Sequence, residues 1–242
     1  MESLSAIICA AGSSSRMGGK KKEFMFLDEE HTVLGKAIKV FASCKIFPII
    51  ICLPPNTENS EALIPADIKD KILICNGGKN RRASVLNSLL FLDSFCKKEG
   101  IKISHVLIHD GARPWIKKEL VENVINALVN NDAIIPALPL LETPKIIGRK
   151  KIESSSQEQI YIKSHLKRAD IWLAQTPQAF AFPQILEAHK RAEKMEAEEN
   201  KEYTDDAEVW GEFMGSVTII PGDPDNRKIT FPEDLVQEKV RK

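Results

Sequence analysis

Short runs of β-branched and other apolar residues alternate with longer segments of helical period along most of the chain. Ala6 to Cys9, Pro48 to Leu53, Lys71 to Cys75, His105 to His109 and Ala133 to Leu138 read as strands. Val33 to Cys44, Arg82 to Phe95 and Lys117 to Asn130 fall between them and read as helices. In the last of these, Leu120, Val121, Val124, Ile125 and Leu128 recur at the 3.6-residue period, which puts an apolar stripe on one face. Strands that are apolar throughout and separated by helices predict a mostly parallel sheet with helices on both faces, an α/β protein.

The alternation breaks between Leu138 and Leu166, where Glu142-Thr-Pro-Lys, Gly148-Arg-Lys-Lys and Glu153-Ser-Ser-Ser-Gln are too polar and turn-rich to pack as core. This stretch, about 139–166, is expected to protrude as an arm from a single domain spanning 1–242. After it, Ile171 to Gln175 resumes as a strand. Phe182 to Asn200 reads as a charged helix with Ile185, Ala188, Ala192 and Met195 as its narrow apolar stripe. Val217 to Ile220 is a further strand, and Pro232 to Val240 a closing helix with Pro232 in its first turn.

Charge narrows the partners. The 34 basic residues cancel the 34 acidic ones, so an anion site must come from a local cluster, and general nucleic-acid binding has no support from net charge. The longest apolar stretch, Phe47 to Leu53, falls far short of the roughly 20 residues of a membrane helix. The N-terminus has no basic segment before a short apolar run, so a cytoplasmic protein without membrane or nucleic-acid partners is expected. Cys9, Cys44, Cys52, Cys75 and Cys96 show no C-x-x-C spacing and read as reduced core thiols, not a zinc site or disulfide framework.

The strongest chemical signal follows the first strand: Ala10-Ala11-Gly12-Ser13-Ser-Ser-Arg16-Met-Gly-Gly-Lys-Lys-Lys22. Small residues after strand one of an open α/β sheet let the backbone approach a phosphate. The segment is neither a Walker loop nor a dinucleotide fingerprint, because Lys21 follows Lys20 and Ser14 and Met17 stand where the latter wants glycines. A loop of backbone N–H groups with Arg16 and a lysine cluster suits a polyphosphate, and the plainer alternative is a tight turn with solvated lysines. Gly77-Gly78-Lys-Asn-Arg81-Arg-Ala-Ser84 opens a helix after strand three, either as a phosphate site or as a capped turn. His109-Asp110-Gly111-Ala-Arg113-Pro brings a carboxylate to the same edge, for a metal ion or ribose hydroxyl, or for an ion pair with Arg113. Gln175-Thr-Pro-Gln and Asp223-Pro-Asp-Asn-Arg-Lys228 add further polar groups near strand ends. Five such segments at one sheet edge point to a ligand site more strongly than any one of them. No G-x-S-x-G elbow, paired histidine ligands or activated cysteine is present, so direct displacement is expected, without a covalent intermediate.

The order and spacing of these residues, together with Thr176-Pro-Gln and Thr204-Asp-Asp, resemble the 2-C-methyl-D-erythritol 4-phosphate cytidylyltransferases from about Ala6 to Leu235. That resemblance implies a Rossmann-like fold, CTP and a polyol phosphate as substrates, a magnesium ion, and a homodimer locked by the β-arm. It implies catalytic roles for Arg16, Lys22 and Lys228, and nucleotide contacts at Ala10, Ala11, Gly12, Ser13, Gly78, Arg81, Ser84, Asp110 and Gly111. Asp110 is also the implied metal position. Thr143 and Arg168 on the arm, contributed across the dimer, and Thr204 are the implied polyol phosphate contacts. Ser14, Gly111 and Lys79 depart from common family residues, as does Pro144 on the arm. A ribitol 5-phosphate cytidylyltransferase and a CTP-binding module without turnover are the competing readings.

Overall fold

The fold of this protein is given by a computed structural model that describes residues 3–12, 17–18, 21–58, 60–152 and 158–236. Its first half follows the expected alternation: β1 (Leu4–Cys9), α1 (Val33–Ser43), β2 (Ile49–Leu53), β3 (Ile72–Asn76), α2 (Arg81–Glu99), β4 (His105–Asp110), α3 (Lys118–Ala127) and β5 (Ala133–Pro139). The arm is a hairpin of β6 (Lys145–Lys151) and β7 (Glu158–His165). The chain then returns through β8 (Trp172–Ala174), β9 (Gln178–Ala181), α4 (Gln184–Glu199), α5 (Asp206–Phe213), β10 (Thr218–Pro221) and the short α6 (Glu233–Val236). The part of the expected closing helix beyond 236 lies outside the described residues.

The central sheet runs β10-β5-β9-β4-β1-β2-β3, with β8 paired to the free part of β5. Because side chains alternate across a strand, neighbouring residues serve opposite layers. Ile8, Ile49, Ile51 and Leu107 pack with Leu34, Ile38 and Phe41 of α1 and Val121 and Val124 of α3. Ile7, Ile50, Val106 and Ile108 pack on the other face with Leu86 and Leu89 of α2, Ile185 and Ala188 of α4 and Trp210 of α5. The continuous apolar strands are thus explained by burial on both sides.

Three elements differ from expectation. β9 runs antiparallel between β4 and β5, so the sheet is mixed on that side. Its four residues lie between Pro177 and Pro183, too short a run to give a strand signal, and Phe180 fixes it by stacking on Trp210 at 5.5 Å. α5 was also not anticipated. Its start is written in the sequence as Asp205 followed three residues later by Glu208, and the Asp205 side chain accepts a hydrogen bond from the Glu208 amide. The expected strand at Ile171–Gln175 is shorter and exposed, with Trp172 and Leu173 about half accessible.

β1 lies between β2 and β4, so the chain leaves β1 on one side and returns on the other. That switch point leaves a crevice beyond the strand ends. Cys9 is level with Cys52 on one side and Asp110 on the other, so the turns after β1 and β4 open at the same height.

Candidate active site

The crevice is a cavity of about 580 Å³, lined by Cys9, Ala11, Gly12, Lys21, Lys22, Glu23, Gly78, Lys79, Asn80, Arg81, Ser84, Asp110, Ala112, Lys228 and Thr230. Its walls are turns tied to neighbouring strands. The Ala10 amide donates to the Cys52 carbonyl, Gly77 to Leu53 and Gly111 to Cys9, each at 2.8–2.9 Å. Gly78 has no room for a side chain, since a Cβ would lie 2.6 Å from that of Ala83. Asn80 caps α2 by accepting from the Ala83 amide, while the Ser84 hydroxyl donates to the Asn80 carbonyl and accepts from the Gly78 amide. The first turn of α2, with its surplus of N–H groups, therefore opens on the cavity.

The charges converge on Asp110. Lys228 Nζ lies 2.8 Å from one oxygen, Arg81 Nε 3.5 Å from the other, and Arg113 Nε 3.7 Å away. Burial alone would raise this carboxyl's pKa, but Lys228, Arg81 and Arg113 outweigh it and hold the group well below the usual carboxylate range. Asp110 is therefore ion-paired with Lys228 and Arg81 as well as with Arg113. Arg81 continues to Asp206, whose Oδ2 it meets at 2.7 Å. Lys21, which donates from Nζ to the Gly12 carbonyl, joins Lys22, Lys79, Arg81 and Lys228 against Glu23 and Asp110. A chain of zero net charge has built a locally cationic cavity.

A buried hydrogen-bond chain supports the Asp110 turn. The Asp110 amide donates to Thr176 Oγ1, which sits 2.9 Å from His109 Nδ1, while His109 Nε2 faces the Arg113 carbonyl at 3.4 Å. Those partners assign the Nε2–H tautomer. Burial pushes the pKa of His109 down to about 3, so the ring is neutral at neutral pH. Gln175 donates to the Asp223 carbonyl and accepts from the Asp223 amide, and Asn226 donates to the Thr176 carbonyl. Gln175 and Thr176 are therefore buried struts that hold the loop bearing Lys228. Burial likewise raises the Cys9 thiol well above its usual value, which leaves it protonated and no nucleophile.

Lys22, Lys228, Ala11, Gly12, Gly78, Arg81, Ser84 and Asp110 come together as the sequence suggested. Ala10 and Gly111 lie behind the wall, where they shape the turns without lining the cavity. Ser13 and Arg16 lie outside the described residues. Thr143 and Arg168 are on the arm and its base, apart from the cavity, with Arg168 donating to the Leu141 carbonyl. Thr204 donates to Glu208 from both its amide and its hydroxyl, and it too does not line the cavity. Sequence reasoning assigns no role to Glu23 or to Asp206, although Asp206 closes the Thr204-Asp-Asp motif. Asn80 had a legible signal, an N-cap residue one position before the helix.

A family model described as 2-C-methyl-D-erythritol 4-phosphate cytidylyltransferase matches residues 4–240. The chain belongs to this family. A cytidylyltransferase of that name from Clostridioides difficile is 33% identical over 236 residues, covering 96% of this chain and 90% of the relative. A bifunctional IspD/IspF enzyme from Bartonella bacilliformis is 34% identical over 237 residues, covering 96% of this chain and 55% of the relative. The chain spans about half the length of such bifunctional relatives. A solved 4-diphosphocytidyl-2C-methyl-D-erythritol synthase from Anaerococcus prevotii superposes with a TM-score of 0.76 at 28% identity, covering 99% of this chain and 95% of the other. The family enzyme from Thermus thermophilus does so at 0.71 and 28%, covering 99% and 98%. No helix among the described residues is long and apolar enough to cross a membrane.

Among the described residues of this cytidylyltransferase family member, no group of three His, Cys, Asp or Glu side chains could cage a metal. Asp110 offers one carboxylate in the cavity. Magnesium is commonly held by one or two carboxylates together with substrate phosphates, so this donor set fits a metal that arrives with a polyphosphate.

Proposed function

We propose that the protein transfers the cytidylyl group of CTP to 2-C-methyl-D-erythritol 4-phosphate, releasing pyrophosphate and forming 4-diphosphocytidyl-2-C-methyl-D-erythritol. The observation that carries this reading is the cationic cavity at the switch point, with Lys21, Lys22, Arg81 and Lys228 around the first turn of α2. In the reaction an oxygen of the acceptor phosphate attacks the α-phosphorus of CTP in line. The new P–O bond forms as the bond to the bridging oxygen of the β-phosphate breaks, and that oxygen leaves with pyrophosphate. Both partners are anionic, so repulsion must be neutralised before attack. Lys22 and Lys228, fixed by the 3-10 turn Lys22–Phe24 and by Asp110, hold positive charge where the equatorial and leaving oxygens become more negative. Gly12, the Gly78 turn and Ser84 offer backbone and hydroxyl groups to the nucleotide. Asp110 is the proposed magnesium ligand; magnesium, once bound with CTP, would neutralise triphosphate charge.

The proposed assembly is a homodimer in cytoplasm. All eight residues of β7 are exposed, and Ile147, Ile160 and Ile162 present apolar side chains to solvent, as do Leu141, Trp172 and Leu173 at the arm's base. A lone two-stranded hairpin is marginal in water, so a covering surface is required. A second copy supplies it and would bring Thr143 and Arg168 to its partner's polyol phosphate. Release of pyrophosphate from CTP and magnesium that depends on methylerythritol phosphate tests the reading. Release with ribitol 5-phosphate alone, or CTP binding without release, would overturn it.

A further inference from the structure

Two arginines, Arg81 and Arg82, open α2, where the helix dipole disfavours cations. A local rule broken in this way needs anionic partners. Arg82 turns away from the cavity and meets Glu196 of α4 at 2.8 Å. Arg81 turns toward it and is gripped at both ends, by Asp110 in the cavity wall and by Asp206 behind it. Asp206 is fully buried, and its other oxygen lies 3.4 Å from His189 Nε2, also fully buried.

The position of Asp206 is itself fixed. Gln178 Oε1 accepts from the amides of both Asp206 and Ala207, and Gln178 Nε2 donates to Asp205, the cap of α5. The helix start therefore cannot slide relative to β9, and the carboxylate is delivered beneath Arg81. We propose that Asp206 is a positioning residue for nucleotide binding: it holds the Arg81 guanidinium in the cavity wall in the orientation that meets nucleotide phosphate, and Gln178 holds Asp206. This rests on the nucleotide reading of the cavity.

Simple electrostatics makes the opposite prediction, which gives the proposal its test. Removing a negative charge behind Arg81 leaves the cavity more positive, so a mere counter-charge would, on removal, tighten polyphosphate binding. Loss of a positioning group weakens it, because Arg81 is released toward Asp110 and solvent.

The experiment is calorimetric titration of the purified full chain with CTP and magnesium, for the wild type, Asp206→Asn, Arg81→Ala and the double variant, with circular dichroism reporting the fold. We expect Asp206→Asn to weaken CTP binding at least tenfold, yet to change it less than twofold when Arg81 is already alanine. Unchanged or tighter binding in Asp206→Asn, or an equal effect on both backgrounds, overturns the proposal. Should Asp206→Asn not fold, Gln178→Ala decides instead, since it keeps every charge and releases only the start of α5. Weaker binding there supports positioning, and wild-type affinity refutes it. A wild type that fails to bind CTP refutes the nucleotide reading itself, and this inference falls with it.

Discussion

Adding one methyl group at Gly77 is a sharp test of how tightly the site is framed. A Cβ there would lie 2.4 Å from Ala11 Cβ, 3.1 Å from Ser84 Oγ and 3.4 Å from Cys52 Sγ. Neither of the latter two can give way. Ser84 braces the first turn of α2, and Cys52 is fully buried in β2. Relief must come from the turn that carries Ala11 and Gly12, which has to retreat by about 1 Å to reach ordinary contact. Overpacking of this kind costs about 1–3 kcal/mol, and a misplacement of about 1 Å at a substrate-positioning group costs about 100-fold in rate. Gly77→Ala is therefore expected to fold, to melt about 2–12 °C lower and to lose about 100-fold in kcat/KM for pyrophosphate release. Gly211, inside α5 with nothing within 4 Å of its would-be Cβ, is the control. Gly211→Ala should keep full turnover and gain about 1 kcal/mol. Wild-type turnover and melting in Gly77→Ala would refute the claim that the Ala11 turn must sit where it does.

Lys22→Ala and Lys228→Ala should each lower kcat about 100- to 1,000-fold in steady-state assays while the melting temperature of Lys22→Ala stays within a few degrees of wild type, since each removes a fixed donor of positive charge. Stability should fall with acidity through His109. Its folded pKa of about 3 lies below the unfolded value of about 6.5, so the unfolded chain binds the extra proton and stability is lost as pH falls from 6.5 toward 3. Urea titrations at pH 7.5 and 5 should show about 2 kcal/mol lost to this group, and His109→Gln should remove that increment; equal losses in both proteins would contradict the assignment. If the proposed homodimer forms through the arm, Leu173→Asp at the arm's base should convert it to monomers in sedimentation and lower turnover while the melting temperature of the core is kept; an unchanged sedimentation profile would contradict that assembly.

The sheet was legible because its central strands β1, β2 and β4 are buried on two faces and helices such as α3 carry one apolar stripe. Ile7 and Ile8, or Ile49 and Ile50, face opposite layers, and a run apolar on both sides leaves little other reading. β9 was not legible because a four-residue strand between prolines takes its identity from its neighbours, Phe180 on Trp210 and the ladders to β4 and β5. The cavity was legible where chemistry is local in sequence, as in Gly78 to Ser84. It was not where a residue acts through a fold contact: Asp206 lies 125 positions from Arg81, and Gln175 reaches across 48 to the Lys228 loop. Gln175 and Thr176 read as ligand groups because polar residues near strand ends have that prior, whereas here they satisfy each other's buried neighbours.

The central claim is transfer of the cytidylyl group onto a phosphate acceptor, and CTP labelled at the α-phosphorus follows it directly. With enzyme in excess, magnesium and methylerythritol phosphate present, the label should pass from CTP into a diphosphocytidyl product in a single turnover, with one equivalent of pyrophosphate. Label that remains in CTP, or appears only as CMP whether or not the acceptor is present, would contradict the account.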